Sequence, residues 1–245
     1  MRIPSNSELI DLWERGWAEH PVDRALSVLS VCTGEPRDAL ARLSIGARDR
    51  ELIEVYERLF GPALDAFAQC PACNEPLEYV LSTRDLAASP PSSGPEALCL
   101  TTDDACLTLR LPDSLDLRAI NSCTNPELAG RLLAERCIVE AKVAGKPVPP
   151  NQIPQGLIEP ISCALAAADP AAEMLIDLNC IACSHRWQVV LDIERFLWSK
   201  ISATAKQLLR DVHALASAYG WREPDILALS PARRQTYMEM AWAAL

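Results

Sequence analysis

CIACSHRW, at residues 180–187, places Cys180 and Cys183 at the C-x-x-C spacing with which a tight turn presents two thiolates to one metal ion. An upstream stretch, CPACNEPLEYV, begins at Cys70 and has a second cysteine, Cys73, at the same spacing. Strand-like sequence flanks both pairs, an arrangement typical of a zinc ribbon. Because a structural zinc ion takes four ligands, the two pairs together predict a single zinc site.

The predicted zinc site has a closed set of ligands. A catalytic zinc ion keeps one position open for water, whereas four thiolates leave none. The sequence therefore predicts a structural ion that performs no chemistry. The predicted ligands are Cys70, Cys73, Cys180 and Cys183.

Three alternatives to this site remain open from the residues alone. A redox C-x-x-C motif would need a helix to begin directly after its first thiol, and strand-like sequence follows here instead. The two pairs could also lie apart and bind no metal. Finally, His185 could replace one cysteine, since it lies two residues after Cys183.

The residue after each pair is unusual for a metal-binding turn. Glycine often occupies this position because the backbone needs a positive φ there. This chain has Asn74 and Ser184 instead. Asparagine tolerates that conformation, and serine does so less readily.

Helical signals dominate the two ends of the chain. Ser5 and Glu8 form a capping-box pattern before an apolar stripe, and a second stripe from residue 193 to residue 219 predicts one long helix. Asn125 begins another predicted helix, whose apolar stripe runs to Val139.

Alternating apolar residues predict strands, and SPPSSGP predicts a loop at 89–95. The predicted strands lie at 76–83, 106–112, 174–180 and 187–193.

These elements predict a predominantly helical α+β fold. A zinc-ribbon-like β element carries a helical insert and is flanked by N- and C-terminal helical segments. The expected segments are an N-terminal helical segment (1–65), the first half of the ribbon (66–112), the helical insert (113–171), the second half of the ribbon (172–192) and the C-terminal helices (193–245).

Composition limits the classes of partner. The 245 residues have a net charge of −10, which argues against a protein that binds duplex nucleic acid. No apolar run approaches the ~20 residues that span a bilayer, and the N-terminus lacks a secretory signal. We therefore expect a cytoplasmic protein without membrane contact.

No phosphate-binding or catalytic motif occurs in the sequence, so neither enzymatic activity nor a small-molecule substrate is expected.

Six further cysteines are scattered singly among apolar residues. Free cysteine behaves as a small buried hydrophobe, so we expect all six inside the core. They are Cys32, Cys99, Cys106, Cys123, Cys137 and Cys163.

The order of several longer motifs is familiar. They are LWERGWAEHPVDRALSVL (12–29), LFGPALDAFAQCPACNEPLEYVLSTRDL (59–86), LRLPDSLDLRAI (109–120), CIACSHRWQVVLDIERFLWSKI (180–201) and LLRDVHALASAYGWREPDILALSPARRQTYMEM (208–240). Together they resemble the zinc-ribbon proteins encoded with phage-tail-like contractile injection systems, which are grouped with the T-even-phage baseplate hub assembly chaperones. The resemblance covers nearly the whole chain and is strongest from Cys180 to Met240.

This resemblance implies a role in building the baseplate of a contractile, tail-like particle, with baseplate or hub proteins as partners. It keeps the four cysteines as metal ligands and offers no catalytic residues. We therefore expect a non-enzymatic assembly chaperone or adaptor with one structural zinc ion. A permanent baseplate subunit is the first alternative. A nucleic-acid-binding zinc-ribbon regulator, using Arg84, Arg110 and Arg186, and a metalloenzyme with an exchangeable ligand position are the others.

Aromatic residues near the C-terminus are candidate anchors for a partner, because aromatic side chains are enriched at binding hot spots. The alternative is that all four pack inside the protein. They are Trp198, Trp221, Tyr237 and Trp242.

Overall fold

The computed structural model of the chain describes residues 1–87 and 97–243, so the loop expected at 89–95 lies outside the described residues. The helices are α1 (Asn6–Gly16), α2 (Pro21–Thr33), α3 (Arg37–Leu40), α4 (Ile45–Phe60), α5 (Thr83–Ala87), α6 (Ser114–Ile120), α7 (Pro126–Cys137), α8 (Ile158–Ala168), α9 (Ile193–Tyr219), α10 (Glu223–Leu227) and α11 (Pro231–Ala243). The strands are β1 (Ala63–Gln69), β2 (Pro76–Ser82), β3 (Leu98–Thr101), β4 (Ala105–Leu109), β5 (Ile138–Val143), β6 (Lys146–Pro147), β7 (Leu175–Asn179) and β8 (Arg186–Val190).

α-Helices and three short 3-10 helices together account for 57% of the structure and strands, all in small sheets, for 18%, which confirms the predominantly helical α+β fold. The chain forms two compact units. Residues 1–34 and 194–243 form the terminal unit, and residues 35–193 form the central unit. Residues 35–65, expected in the N-terminal helical segment, belong to the central unit.

The terminal unit is built from amphipathic helices, the first two of which have side-chain caps. The Ser5 side chain accepts a hydrogen bond from the Glu8 backbone N–H and the Glu8 side chain accepts one from the Ser5 N–H, so the predicted capping box is present. α9 spans the 27 residues that its apolar stripe predicted. Its buried face packs against α1 and α10 through a cluster of apolar side chains. That cluster contains Ile10, Ala205, Leu208 and Leu227.

The core of the central unit lies on one face of an antiparallel sheet with strand order β3-β4-β5-β6. Leu107 and Leu109 of β4 are both fully buried, as their alternation with polar residues predicted. They pack with Cys137 at the end of α7 and with Ile161 and Leu165 of α8. The central unit therefore has a hydrophobic core separate from the cysteine pairs.

One predicted helix ends earlier than expected. The helix begins at Pro126 after the Asn125 cap, as predicted, but it ends at Cys137 and β5 starts at Ile138. The prediction that it continues to Val139 is wrong. Ile138 pairs with Leu109 of β4, and pairing with a buried neighbouring strand outweighs a helical stripe in the sequence.

The expectation that all six single cysteines are buried is wrong for four of them. Cys32 and Cys137 are buried and Cys123 is partly exposed. Two of the exposed ones, Cys99 and Cys106, lie in β3 and β4, where strand alternation turns them away from the leucines that fill the core. The third, Cys163, lies on the outer side of α8.

Two further two-stranded sheets are hairpins. In the first hairpin β1 pairs with β2, and in the second β7 pairs with β8, both antiparallel. Each hairpin turns at a C-x-x-C pair. Helices α5 to α8 and the larger sheet lie between the two hairpins in sequence, so the two turns are distant in the chain.

A contact at the start of α4 links the segments that lead into the two hairpins. The Gly46 N–H donates to Asp169 Oδ2 over 2.9 Å. A side chain at Gly46 would overlap Asp169 Oδ1, so this close approach requires glycine. α4 leads directly into β1, and residue 169 shortly precedes β7. The contact therefore holds together the two segments that precede the cysteine turns.

An ion-pair network around a buried carboxylate holds the segment between β4 and α6. Asp116 is 0% exposed and accepts two hydrogen bonds from the Arg110 guanidinium, over 2.6 and 2.9 Å. It accepts a third from Arg136 over 2.8 Å and completes a capping box with Asp113. Arg110, one of the arginines considered for nucleic-acid binding, is therefore engaged within the protein.

Candidate metal centre

The first cysteine pair lies in the turn between β1 and β2. Two backbone hydrogen bonds shape this turn, one from the Cys70 N–H to the Glu75 oxygen and one from the Asn74 N–H to the Cys70 oxygen, each over 2.9 Å. Together they hold residues 70–75 in a compact loop. We call this loop the first knuckle.

The second knuckle, residues 180–185 between β7 and β8, repeats the same pattern. The Cys180 N–H donates to the His185 oxygen and the Ser184 N–H donates to the Cys180 oxygen, again over 2.9 Å. The residues occupy equivalent positions in both loops. The two knuckles are therefore equivalent turns, each of which presents two thiols.

The residue after each pair adopts the left-handed backbone conformation. Asn74 has φ 60° and Ser184 has φ 58°. This confirms the expectation from the sequence that both positions need a positive φ. A non-glycine residue pays a conformational cost there, and that cost is larger for serine than for asparagine.

Replacing Ser184 by glycine is therefore expected to raise the free energy of unfolding by about 0.5 to 1 kcal/mol, because the relief of strain exceeds the added freedom of the unfolded chain. Urea denaturation of the metal-loaded protein measures it. The matched control, Asn74→Gly, should give a smaller gain, because asparagine visits this conformation readily. Equal gains, or a loss at Ser184, would contradict this account.

The four sulfur atoms converge at one point in the central unit. Cys70 Sγ lies 3.7 Å from Cys183 Sγ, and Cys73 Sγ lies 3.6 Å from Cys180 Sγ. All four sulfurs lie within 4.8 Å of one another, so the four cysteines could hold a metal ion. The predicted ligand set is thus brought together, and the alternative of two separate pairs is excluded.

The spacing of the sulfurs suits a tetrahedral thiolate site. A zinc–sulfur distance of about 2.3 Å places the ligands of a tetrahedron about 3.8 Å apart. The distances across the two knuckles are 3.7 and 3.6 Å. The first cysteine of each pair is buried and the second is exposed, so one side of the centre faces solvent.

Backbone N–H groups point at the sulfur atoms. Burial raises the pKa of the Cys70 thiol, but hydrogen bonds from the N–H groups of Cys73 and Ala72 and from nearby thiols lower it more, to about 7. The Glu75 N–H lowers the pKa of Cys73, but neighbouring thiols and burial outweigh this effect and raise it to about 12. The thiols of the centre therefore titrate as a coupled group, and a bound cation would stabilise their thiolate forms.

The donors of these hydrogen bonds were not predicted from the sequence. Ala72, Glu75 and His185 act through their backbone N–H groups, and His185 donates to Cys183 Sγ. No residue type is required for such a bond, so only the turn geometry identifies them. The His185 ring lies outside the cluster of sulfurs and stacks on Trp187, with ring centroids 6.0 Å apart.

One predicted partner-binding residue packs inside the terminal unit. The Trp198 ring lies so close to Gly16 of α1 that a side chain there would overlap it. The Arg24 guanidinium lies 4.9 Å from the ring centroid and pairs with Glu194 over 3.1 Å. Trp198 therefore joins α1, α2 and α9.

Two other predicted anchors belong to an aromatic cluster at the end of α9. Trp221 meets Tyr237 of α11 edge-on, with centroids 4.9 Å apart, and stacks on Tyr219 at 4.8 Å. Both predicted residues are partly buried. The fourth, Trp242, is 62% exposed on α11, and Met240 nearby is 55% exposed. Of the four predicted anchors, Trp242 presents the most open surface.

None of the helices among the described residues has a stretch both long and apolar enough to cross a lipid bilayer. No protein-family model, curated protein or solved structure matches the chain.

Proposed function

We propose that the four-cysteine centre binds one structural zinc ion. The convergence of four sulfurs from two knuckles, all within 4.8 Å of one another, is the observation that carries this proposal. Zinc favours four thiolates in a tetrahedron, and this donor set suits it better than magnesium or calcium, which take oxygen ligands. Cys70, Cys73, Cys180 and Cys183 would hold the ion.

Metal analysis of the purified protein tests the identity of the ion. One zinc ion per chain is expected, and X-ray absorption should show sulfur alone in its first shell. An oxygen ligand in that shell would instead favour the metalloenzyme alternative, because it would mark an exchangeable position.

We further propose that the protein is a non-enzymatic assembly chaperone or adaptor for the baseplate of a contractile, tail-like particle. Two features support this role. The motif order resembles that of baseplate-associated zinc-ribbon proteins, and a centre with four thiolates serves to join structure. Such a scaffold acts by binding partners through its surface.

Co-purification from cells that express the whole gene cluster tests this role. Baseplate or hub proteins should accompany the tagged chain, and their absence would count against the proposal. Mass spectrometry of purified particles then separates the two forms of the hypothesis. A chaperone should be absent or substoichiometric, whereas a stoichiometric chain would be a permanent subunit.

Replacing Trp242 by alanine is expected to reduce the recovery of baseplate partners while the free energy of unfolding changes by less than about 0.5 kcal/mol, because the side chain is largely exposed. Trp17→Ala is the matched control, since Trp17 is 69% exposed and lies in the same unit. Equal recovery with both variants would remove Trp242 from the partner-binding surface.

A further inference from the structure

A groove with a volume of about 340 Å³ runs between the two hairpins of the central unit. Residues 80–82 of β2 line one wall, and residues 174–176, at the start of β7, line the other. Successive residues of a strand point to opposite faces of its sheet. A groove lined by consecutive residues of β2, and by residue 174 with the first two residues of β7, therefore follows the edges of both strands.

Both of these edges lack a neighbouring strand among the described residues, because β2 pairs only with β1 and β7 only with β8. The hydrogen bonds of the first hairpin include Thr83 N–H to the Pro62 oxygen and Cys70 N–H to the Glu75 oxygen. In an antiparallel pair such bonds recur at every second residue. The main-chain groups of Val80 therefore point to the open edge.

The same reasoning applies to the second hairpin. Its hydrogen bonds include Leu191 N–H to the Met174 oxygen and Cys180 N–H to the His185 oxygen. The alternation then turns the main-chain groups of Leu175 to the open edge of β7. Two walls of the groove thus offer backbone donors and acceptors to a further strand.

Apolar side chains stand beside these open edges. Val80 is 66% exposed and Leu175 is 47% exposed, although both are of a type that strands normally bury. Leu81 and Ile176 are partly exposed within the same groove. An exposed apolar strand edge favours pairing with another chain, unless charges or a covering element prevent it.

The charges around the groove have one sign. Asp85 of α5 and Glu173 both line it and are exposed, whereas no lysine or arginine does so among the described residues. Complementary charge raises both the rate and the specificity of association. A partner segment with a basic residue therefore fits better than an acidic one.

We propose that this groove binds an extended segment of a partner protein as an added strand, with apolar side chains at alternate positions and at least one lysine or arginine between them. Strand addition of this kind takes its affinity from main-chain hydrogen bonds and its specificity from alternate side chains. The proposal names a class of partner for the adaptor role and rests on that role for its biological setting.

Selection from a display library of random peptides of about ten residues, the upper range of strand length, tests the proposal on the full, metal-loaded chain. Peptides retained by the wild-type protein should be rich in lysine or arginine and in alternating apolar residues. Their affinity should fall by about tenfold or more for the double variant Val80→Glu, Leu175→Glu. Both positions are exposed, so the variant should fold.

Phe67→Glu is the matched control, because Phe67 is 65% exposed on the same hairpin and does not line the groove. It should leave peptide affinity unchanged. Asp85→Asn with Glu173→Gln should weaken binding of the basic peptides and reduce its dependence on salt.

Three results would overturn the proposal. The first is that every selected peptide binds the wild-type protein and the double variant with equal affinity. The second is that the selection enriches acidic peptides. The third is a dimer in sedimentation experiments that the double variant abolishes, since a second copy of the chain would then occupy the groove. If peptides bind but no baseplate protein co-purifies, the proposed peptide-binding groove stands and the role in a contractile particle is rejected. The failure of one proposal can therefore be told from the failure of the other.

Discussion

Replacing Cys180 by serine is expected to lower the free energy of unfolding by several kcal/mol, because binding of a structural zinc ion is coupled to folding. Cys180 is buried, and its sulfur lies 3.6 Å from that of Cys73, 107 positions away. Serine does not supply the thiolate that the site requires. Urea denaturation, together with the zinc content of the purified variant, measures the effect. The bound zinc should be lost at the same time.

Two other cysteines provide the controls. Cys163→Ser should change stability little, because Cys163 is exposed on α8. Cys137→Ala should cost more than that, since Cys137 is fully buried, but less than the loss of a ligand. Losses of equal size at Cys180, Cys137 and Cys163 would contradict the assignment of the metal ligands.

Replacing Asp116 by asparagine should lower the free energy of unfolding by about 1 to 3 kcal/mol, because the change removes a buried carboxylate that two partly exposed arginines contact. Arg110 and Arg136 both donate to this carboxylate, and Asp116 is itself 0% exposed. Asp103→Asn, at an exposed carboxylate, is the control and should have little effect. Equal effects of the two changes would contradict this role of the Asp116 carboxylate.

The stability that Asp116→Asn loses should depend on pH. Burial raises the pKa of this carboxyl, but the hydrogen bond from Arg110, the backbone hydrogen bond from Asp113 and the Arg110 charge lower it more, so the net pKa is below its ordinary value. A lowered pKa in the folded state gives stability that is present above the ordinary carboxyl pKa of about 3.9 and disappears as pH falls through the lowered one. The difference between wild type and Asp116→Asn should therefore be constant near neutral pH and shrink below about pH 4. A difference that widens in acid would refute this assignment.

Local signals in the sequence predicted the helices and their ends well. The apolar stripe of α9 and the capping box at Ser5 depend on residues within a few positions of one another, so no knowledge of the rest of the fold is needed. The metal ligands were predictable for a different reason. Each C-x-x-C pair supplies half of a four-ligand shell, which indicates that the two pairs meet. The pairs do not show the path that the chain takes between them.

Features that depend on distant neighbours were not predictable. Val139 continues a helical stripe in the sequence, yet it lies in β5 because β4 offers a strand to pair with. Arg110 could not be distinguished from a solvent-facing cation until Asp116 was placed beside it. The groove beside Val80 arises only where two hairpins meet, so neither hairpin sequence contains a signal for it.

The distance along the chain between the two knuckles has a consequence for biosynthesis. Cys73 and Cys180 are 107 positions apart. Ribosomes add roughly 5 to 20 residues per second, so roughly 5 to 20 s pass between the two turns leaving the peptidyl-transferase centre. During that interval the nascent chain has only half a coordination shell. A complete set of four ligands is therefore available to the metal ion only after the second knuckle has been translated.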